Sequence, residues 1–283
     1  MSATLPDGTP PDVVSLEAIR RRLAIASIRS TTKAGSGHPS TCLSASHIVT
    51  ALYFGGILRY DPARPDAPDR DRFVLSKGHA APILYAALIE AGVIDLDIMT
   101  LRELDSPLEG HPNARRVPGV EASTGSLGQG LSLALGMALA ARVQGRAFRA
   151  FALLGDGELD EGQVWEAAMA AAKYRAENLV AIVDRNGWQQ TGRADEVMPT
   201  EDLVAKWQAF GWRASTIDGH DWPAVLDALA AATRPTGVPT VIVARTQKGY
   251  GVSRILADGG NRMHGVPLSP ADAEAAIQEI ANA

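Results

Sequence analysis

The sequence is poor in the features that mark a disulfide scaffold, a membrane protein or a nucleic-acid binder. It holds a single cysteine, Cys42, which excludes an intrachain disulfide and any cysteine-rich metal site. A lone cysteine fits a reducing, cytoplasmic setting, and its thiol is expected to serve as a small buried hydrophobe. No segment approaches the roughly 18 to 20 uninterrupted apolar residues of a membrane span. Residues 1–14, MSATLPDGTPPDVV, combine acids and three prolines with no basic region or apolar stretch. They are expected to be a flexible lead-in rather than a signal peptide. The net charge of -5 comes with no basic run to track a phosphate backbone or a lipid surface, so neither nucleic acid nor membrane is an expected partner.

What is present is enough apolar material for one large core: 283 residues, 46% of them hydrophobic. Residues 15–30 place Leu16, Ile19, Leu23, Ile25 and Ile28 at mainly helical spacing behind Ser15, a candidate N-cap, with arginines on the other face. The proline- and aspartate-rich stretch YDPARPDAPDRDR then reads as a surface loop. Beyond it, apolar strand patterns (the FVL segment, FALL, LVAIVD and TVIVAR) alternate with helical ones, among them DWPAVLDALAAAT. Strands alternating with helices imply an α/β fold, a doubly wound, mostly parallel sheet with helices on both faces. No repeat of fixed period interrupts it, so residues 15–283 are expected to form a single domain.

Two polar turns stand out against this pattern: Gly155-Asp156-Gly157 after FALL, and Asn186-Gly187-Trp188 after LVAIVD. In an open parallel sheet, ligands bind beyond the carboxyl ends of the strands, where both turns should lie. Gly157 allows a backbone N–H to approach an anion at a helix start, where the helix dipole favours phosphate. The Asp156 carboxylate, the Asn186 carboxamide oxygen and the Trp188 carbonyl are hard oxygen donors of the kind Mg2+ or Ca2+ takes, with positions left for phosphate oxygens. Each turn alone is an ordinary loop. Together, with a helix and a strand between them, they read as a metal and diphosphate cradle.

The paired turns resemble the thiamine diphosphate (ThDP) signature, and their surroundings resemble the transketolase family: GSGHPS, RDRFVLSKGHA, EGHP, STGSLGQG, KGYGV and MHG follow in order between about residues 15 and 268. The resemblance implies the diphosphate-binding domain of that family. It implies Asp156, Asn186 and the Trp188 carbonyl as metal ligands, and Gly157, Glu158, Asn186, His79 and His264 as contacts to the cofactor. Gly125, Ser126 and Leu127 match the loop that approaches its rings. His38, His111 and His264 match histidines that bind sugar hydroxyls and carry protons, a role suited to imidazole near neutrality. His47 and His220 lie outside these motifs and read as helix-face or surface histidines. Lys248 could face phosphate or cap the sheet edge. Glu158 and Asp160 suit a helix N-terminus; Glu161 and Glu166 match family acids near a dimer axis.

The resemblance also implies a part that these residues do not include. The family's cofactor-activating glutamate, and the arginines and serine that bind a sugar phosphate, come from a pyrimidine-binding domain and a C-terminal domain beyond the point where this sequence ends. The expectation is an N-terminal subunit of a split transketolase that moves a two-carbon ketol unit from a ketose to an aldose. Its partner would be a C-terminal subunit, with two copies of each chain. The competing readings are a truncated or inactive ThDP-binding protein, the alpha-type subunit of another ThDP enzyme, and a non-catalytic phosphate-binding module.

Overall fold

The computed structural model describes residues 12–200, 202–257 and 263–283; the greater part of the expected lead-in, residues 1–11, lies outside them. Three helices open the chain, α1 (Val13–Ala34), α2 (Pro39–Ser44) and α3 (Ser46–Phe54), ahead of strand β1 (Arg72–Leu75). Helix α1 starts earlier than expected: its cap is Asp12, whose Oδ1 accepts the Ser15 N–H at 2.7 Å, and Ser15 lies inside the helix. An aspartate here satisfies a free amide and complements the dipole at once. Gly35 closes the helix in the left-handed region at φ 58°, where a side chain would be strained.

After α4 (Ala81–Glu90) and a long loop come α5 (Gln129–Val143), β2 (Ala150–Gly155), α6 (Gly162–Lys173) and β3 (Leu179–Arg185). The rest of the chain holds α7 (Ala194–Val197), α8 (Leu203–Ala209), β4 (Arg213–Asp218), α9 (Trp222–Ala232), β5 (Thr240–Arg245), α10 (Ser253–Ala257) and α11 (Pro270–Asn282). The five strands are all parallel, in the order β1-β2-β3-β5-β4. The expected α/β class with a doubly wound parallel sheet is what the chain forms. Strand β4 escapes a reading based on apolar runs because it is an edge strand with no fully buried residue.

Side chains of successive strand residues point to opposite faces, and this alternation divides the core. Phe73, Leu75, Phe151, Leu153, Val180, Ile182 and Ile242 face α1, α3, α4 and α9. Val74, Ala152, Leu154, Ala181, Val183, Val241 and Val243 face α5, α6 and α8. A third cluster joins α1 to α10 and α11 through Ile28, Ile255, Ile277 and Ile280. Cys42 is fully buried and its thiol is pushed up to about 12 by that burial, as expected of an inert core residue. No described helix is long and apolar enough to cross a membrane.

Candidate functional site

The carboxyl ends of β2 and β3 end in register, Gly155 opposite Asp184, so the two polar turns leave the sheet side by side. One hydrogen bond joins them: the Gly187 N–H donates to Asp156 Oδ2 at 2.6 Å, while Asp156 Oδ1 accepts from Gly157 N at 3.0 Å. Asn186 bends back so that its Oδ1 accepts the Trp188 N–H at 3.1 Å, and the Ala194 N–H closes the turn on the Gly187 carbonyl at 3.0 Å. The three expected metal donors thus belong to one hydrogen-bonded unit. Asp156 is buried and makes no ion pair among the described residues. Burial, and then the neighbouring Asp184 carboxylate, push its pKa up to about 6. A buried carboxylate in that condition is one that a divalent cation would relieve, and its neighbours offer oxygen rather than nitrogen or sulfur. By this test the residues suit Mg2+ or Ca2+. No group of three or more His, Cys, Asp or Glu side chains forms a metal cluster among the described residues; an aspartate, a carboxamide and a carbonyl do not make such a group.

Three of the expected histidines converge beside this unit. Ring centroids of His38 and His79 lie 5.1 Å apart, those of His38 and His264 5.2 Å, and those of His79 and His264 5.8 Å. All titrate below the ordinary imidazole value, chiefly from burial: His38 falls to about 4, His264 to about 3, and His79 well below the usual range. They are therefore neutral at pH 7, each with one donor and one acceptor nitrogen. The Nδ1 of His38 is buried with no hydrogen-bond partner among the described residues. An orphaned polar atom in a half-buried cluster is costly unless something else occupies it.

His111 lies at the exposed rim, close enough for its charge to bear on His38 and His79, and is held by a glycine loop. A Cβ on Gly125 would lie 2.8 Å from the His111 ring, and Gly125 has φ 144°, so glycine is required there on both counts. The same loop nests on the Gly78-His79 turn, where a Cβ on Gly78 would meet the Gly125 amide at 2.7 Å. Ser126 is exposed and Leu127 half-buried, its carbonyl accepting from Gln163 Nε2 at 2.9 Å.

The Glu158 carboxylate is engaged within the protein, so a contact from Glu158 to the cofactor would fall to its backbone. The side chain is buried, with Oε1 accepting from Gly128 N at 2.8 Å and from the Ser76 hydroxyl, and Oε2 from Gly155 N at 3.0 Å. It ties three site loops together, since a buried carboxylate is tolerable only when it is hydrogen-bonded. His47 lies on α3, as a helix-face residue, and it is paired with His220. His47 is 2% exposed, and its Nδ1 lies 3.2 Å from Nδ1 of His220. Of the undecided residues, Lys248 is buried, with Nζ 2.7 Å from His264 Nδ1, while Glu161 and Glu166 are exposed. The Gly157 amide is shared ground, because a Cβ there would lie 2.8 Å from Gln189 Cγ.

Sequence reasoning missed three charged residues. Lys77 and Asp184 form a fully buried ion pair beneath the site, and Asp184 also accepts from Ser44 Oγ at 2.6 Å and from the Thr246 hydroxyl. These partners hold the Asp184 carboxyl below its ordinary range despite its burial. Arg102, at φ 62°, lies over Gly110; burial first and then its guanidinium lower the pKa of His111, and it adds to burial and to His111 in lowering that of His38. The one signal available for the pair was a lysine and an aspartate at the ends of otherwise apolar strands.

A family model described as "Transketolase, thiamine diphosphate binding domain" matches residues 14–281. Transketolase-like protein 2 of Bos taurus is 45% identical over 99% of this chain and 44% of its own length, and human transketolase is 43% identical over 95% and 43%. The chain thus spans under half the length of these curated relatives. A shorter relative, the 6-deoxy-6-sulfo-D-fructose transketolase subunit SqwG of Clostridium sp. (strain MSTE9), is 41% identical, with 88% of this chain and 90% of that protein covered. The solved transketolase of Campylobacter jejuni superposes with a TM-score of 0.90 at 30% identity, covering 96% of this chain and 43% of that one. A buried aspartate and a half-buried turn at two strand ends, a histidine cluster beside them and these likenesses agree: the chain belongs to the transketolase family, of which it carries the ThDP-binding domain.

Proposed function

We propose that this chain is the N-terminal subunit of a two-chain transketolase. It would bind the diphosphate and metal of ThDP, while a second chain brings the pyrimidine-binding and C-terminal domains. The observation that carries this reading is the 2.6 Å bond from Gly187 N to Asp156, which brings both halves of the signature to one point beside the histidines. The SqwG relative supports the two-chain arrangement, since a protein named as a subunit is matched over 90% of its length. Its named substrate, a ketose with a sulfonate at carbon 6, makes 6-phosphorylated and 6-sulfonated ketoses the donors to assay side by side.

Asp156, Asn186 and the Trp188 carbonyl would hold Mg2+ or Ca2+, and Gly157, His79 and His264 would contact the diphosphate. When bound, the cofactor supplies a nucleophilic carbon able to break and remake a carbon–carbon bond beside a carbonyl. The chain's own contribution is binding and proton management. Lys248 Nζ donates to His264 Nδ1, so the neutral ring of His264 carries its proton on Nε2 as a fixed donor. The His38 ring would line the substrate side of the cluster beside His264, and His111 would stand at the rim. Neutral imidazoles held in one tautomer can donate to or accept from a sugar oxygen without first losing a proton to solvent.

The test is purification with a second chain that carries the pyrimidine-binding and C-terminal domains, followed by a ketol-transfer assay with ThDP and Mg2+. Transfer that requires both chains is expected. Transfer by this chain alone would contradict the two-chain arrangement, and absence of transfer by the pair would leave only an inactive cofactor-binding protein.

A further inference from the structure

The His47–His220 pair lies outside the site, yet it is wired to it. His220 follows the Gly219 turn after β4, and this turn is pinned to the end of β5. The Gly219 N–H donates to the Arg245 carbonyl at 2.7 Å, and a Cβ on Gly219 would meet Thr246 Cγ2 at 2.5 Å. From there the imidazole reaches over the turn that follows β5. Its Nε2 accepts the Gln247 N–H at 2.8 Å, and its ring stacks on Tyr250 with centroids 3.8 Å apart at an interplanar angle of 15°. His220 therefore touches both ends of the segment Gln247–Tyr250. That segment carries Lys248, whose Nζ lies 2.7 Å from His264 Nδ1. The Gly249 N–H donates to the Ser40 carbonyl at 2.9 Å and holds the middle of the segment against α2, two residues after His38.

The hydrogen bonds also dictate where the protons are. A backbone amide only donates, so Nε2 of His220 must be bare and the neutral ring protonated at Nδ1. That N–H points at His47 Nδ1, 3.2 Å away, which must accept, leaving the His47 proton on Nε2. His47 Nε2 faces Glu17 Oε2 at 4.0 Å, and the same carboxylate accepts from Trp222 Nε1 at 3.1 Å and pairs with Arg20. Burial keeps both rings neutral, with His220 lowered to about 4 and His47 to about 2, so the single proton arrangement persists at neutral pH. Every ring nitrogen of the pair faces a group of matching hydrogen-bonding character. His220 is thus held as a rigid acceptor, unlike His38, whose Nδ1 has no partner among the described residues.

We propose that His220, held in its Nδ1–H form by His47, is a positioning residue that fixes the Gln247–Tyr250 segment so that Lys248 sets the tautomer of His264. The proposal rests on the functional reading above only for its consequence in cofactor binding; the wiring itself concerns the chain's own protons. The experiment is nitrogen-15 NMR of histidine side chains in the full chain, run beside titration with Mg2+ and ThDP. Three forms are compared: wild type, His220→Phe, which keeps a ring on Tyr250 but no acceptor, and His220→Gln, which keeps an acceptor. In wild type, His220 should show the Nδ1–H pattern and His264 the Nε2–H pattern. In His220→Phe, His264 should become a mixture of tautomers and the ThDP dissociation constant should rise about tenfold, the usual scale for an outer-shell partner. His220→Gln should recover most of both. Should the phenylalanine variant fail to fold, His220→Met carries the same expectation. An unchanged His264 spectrum in the acceptor-free variant would overturn the proposal. A wild type that shows the wiring but binds no ThDP, alone or together with the second chain, would instead overturn the functional reading, so the two failures are distinguishable.

Discussion

Two groups of histidines lie a short distance apart in this molecule and differ in one respect. In the pair His47–His220 the ring nitrogens face one another, a backbone amide and the Glu17 carboxylate, in a single consistent proton arrangement. In the cluster His38–His79–His264 the rings lie 5.1 to 5.8 Å apart, and His38 Nδ1 has no partner among the described residues. Both groups are half-buried or buried and both are held neutral. The lesson is that burial and a lowered pKa do not by themselves tell a site from a strut. A buried atom without a partner does not either, since Arg20 Nη1, Asn178 Oδ1 and Trp207 Nε1 have none among the described residues and lie outside the cluster.

The severest break in the comparison would come from beneath both groups. Lys77→Met leaves Asp184 buried without its cation, and loss of one partner of such a pair costs about 3–5 kcal/mol. The variant should therefore lose much of its stability by urea denaturation, with both histidine groups disordered together.

A sharper comparison is a pair of substitutions expected to dissociate stability from chemistry. His38→Phe removes the unsatisfied nitrogen, so stability should hold within about 1 kcal/mol. Ketol transfer by the two-chain enzyme should nevertheless fall by about a hundredfold or more, the scale of a lost proton-transfer group. His47→Phe should instead cost about 1–3 kcal/mol of stability by stranding the His220 N–H, with ketol transfer reduced by no more than about tenfold, the scale of an outer-shell partner. Parallel denaturation curves and steady-state rates check both.

The smallest effect is in the pH dependence. Histidines whose folded pKa is depressed contribute stability that is fully present above the unfolded value near 6.5 and is lost as pH falls through about 4 for His38 and His220 and about 3 for His264. Asp156, raised to about 6, acts with the opposite sign over part of that window. The net expectation is a steady fall in melting temperature from pH 6.5 to 4. In His38→Phe the slope should be shallower by about one proton.

Much of this was legible in local sequence, and the exceptions share a cause. Strand β5 and helix α9 match their apolar patterns because periodicity acts over a few residues, whereas the cap expected at Ser15 lies three residues earlier, at Asp12. The metal-donor turns could be read because strand–turn–helix spacing places them at one edge. Strand β4 could not, since an exposed edge strand needs no apolar run. Neither could Lys77 with Asp184 or His47 with His220, which meet across 107 and 173 residues. His220 also follows a glycine, so adjacency to glycine, shared with His38, His79 and His111, does not by itself mark a site histidine. For Glu158, position in the motif is visible in sequence, but the direction of its carboxylate is set by loops 30 and 82 residues away.

The most direct test of the cradle is calorimetric titration of ThDP into the full chain, with and without Mg2+, for wild type and Asp156→Ala, with circular dichroism as the control for folding. Binding should require the metal in wild type and weaken by about a hundredfold or more in the folded variant, as expected when a metal loses its only charged protein ligand. Tight, metal-dependent binding retained by Asp156→Ala would contradict the assignment of this edge as the metal and diphosphate site.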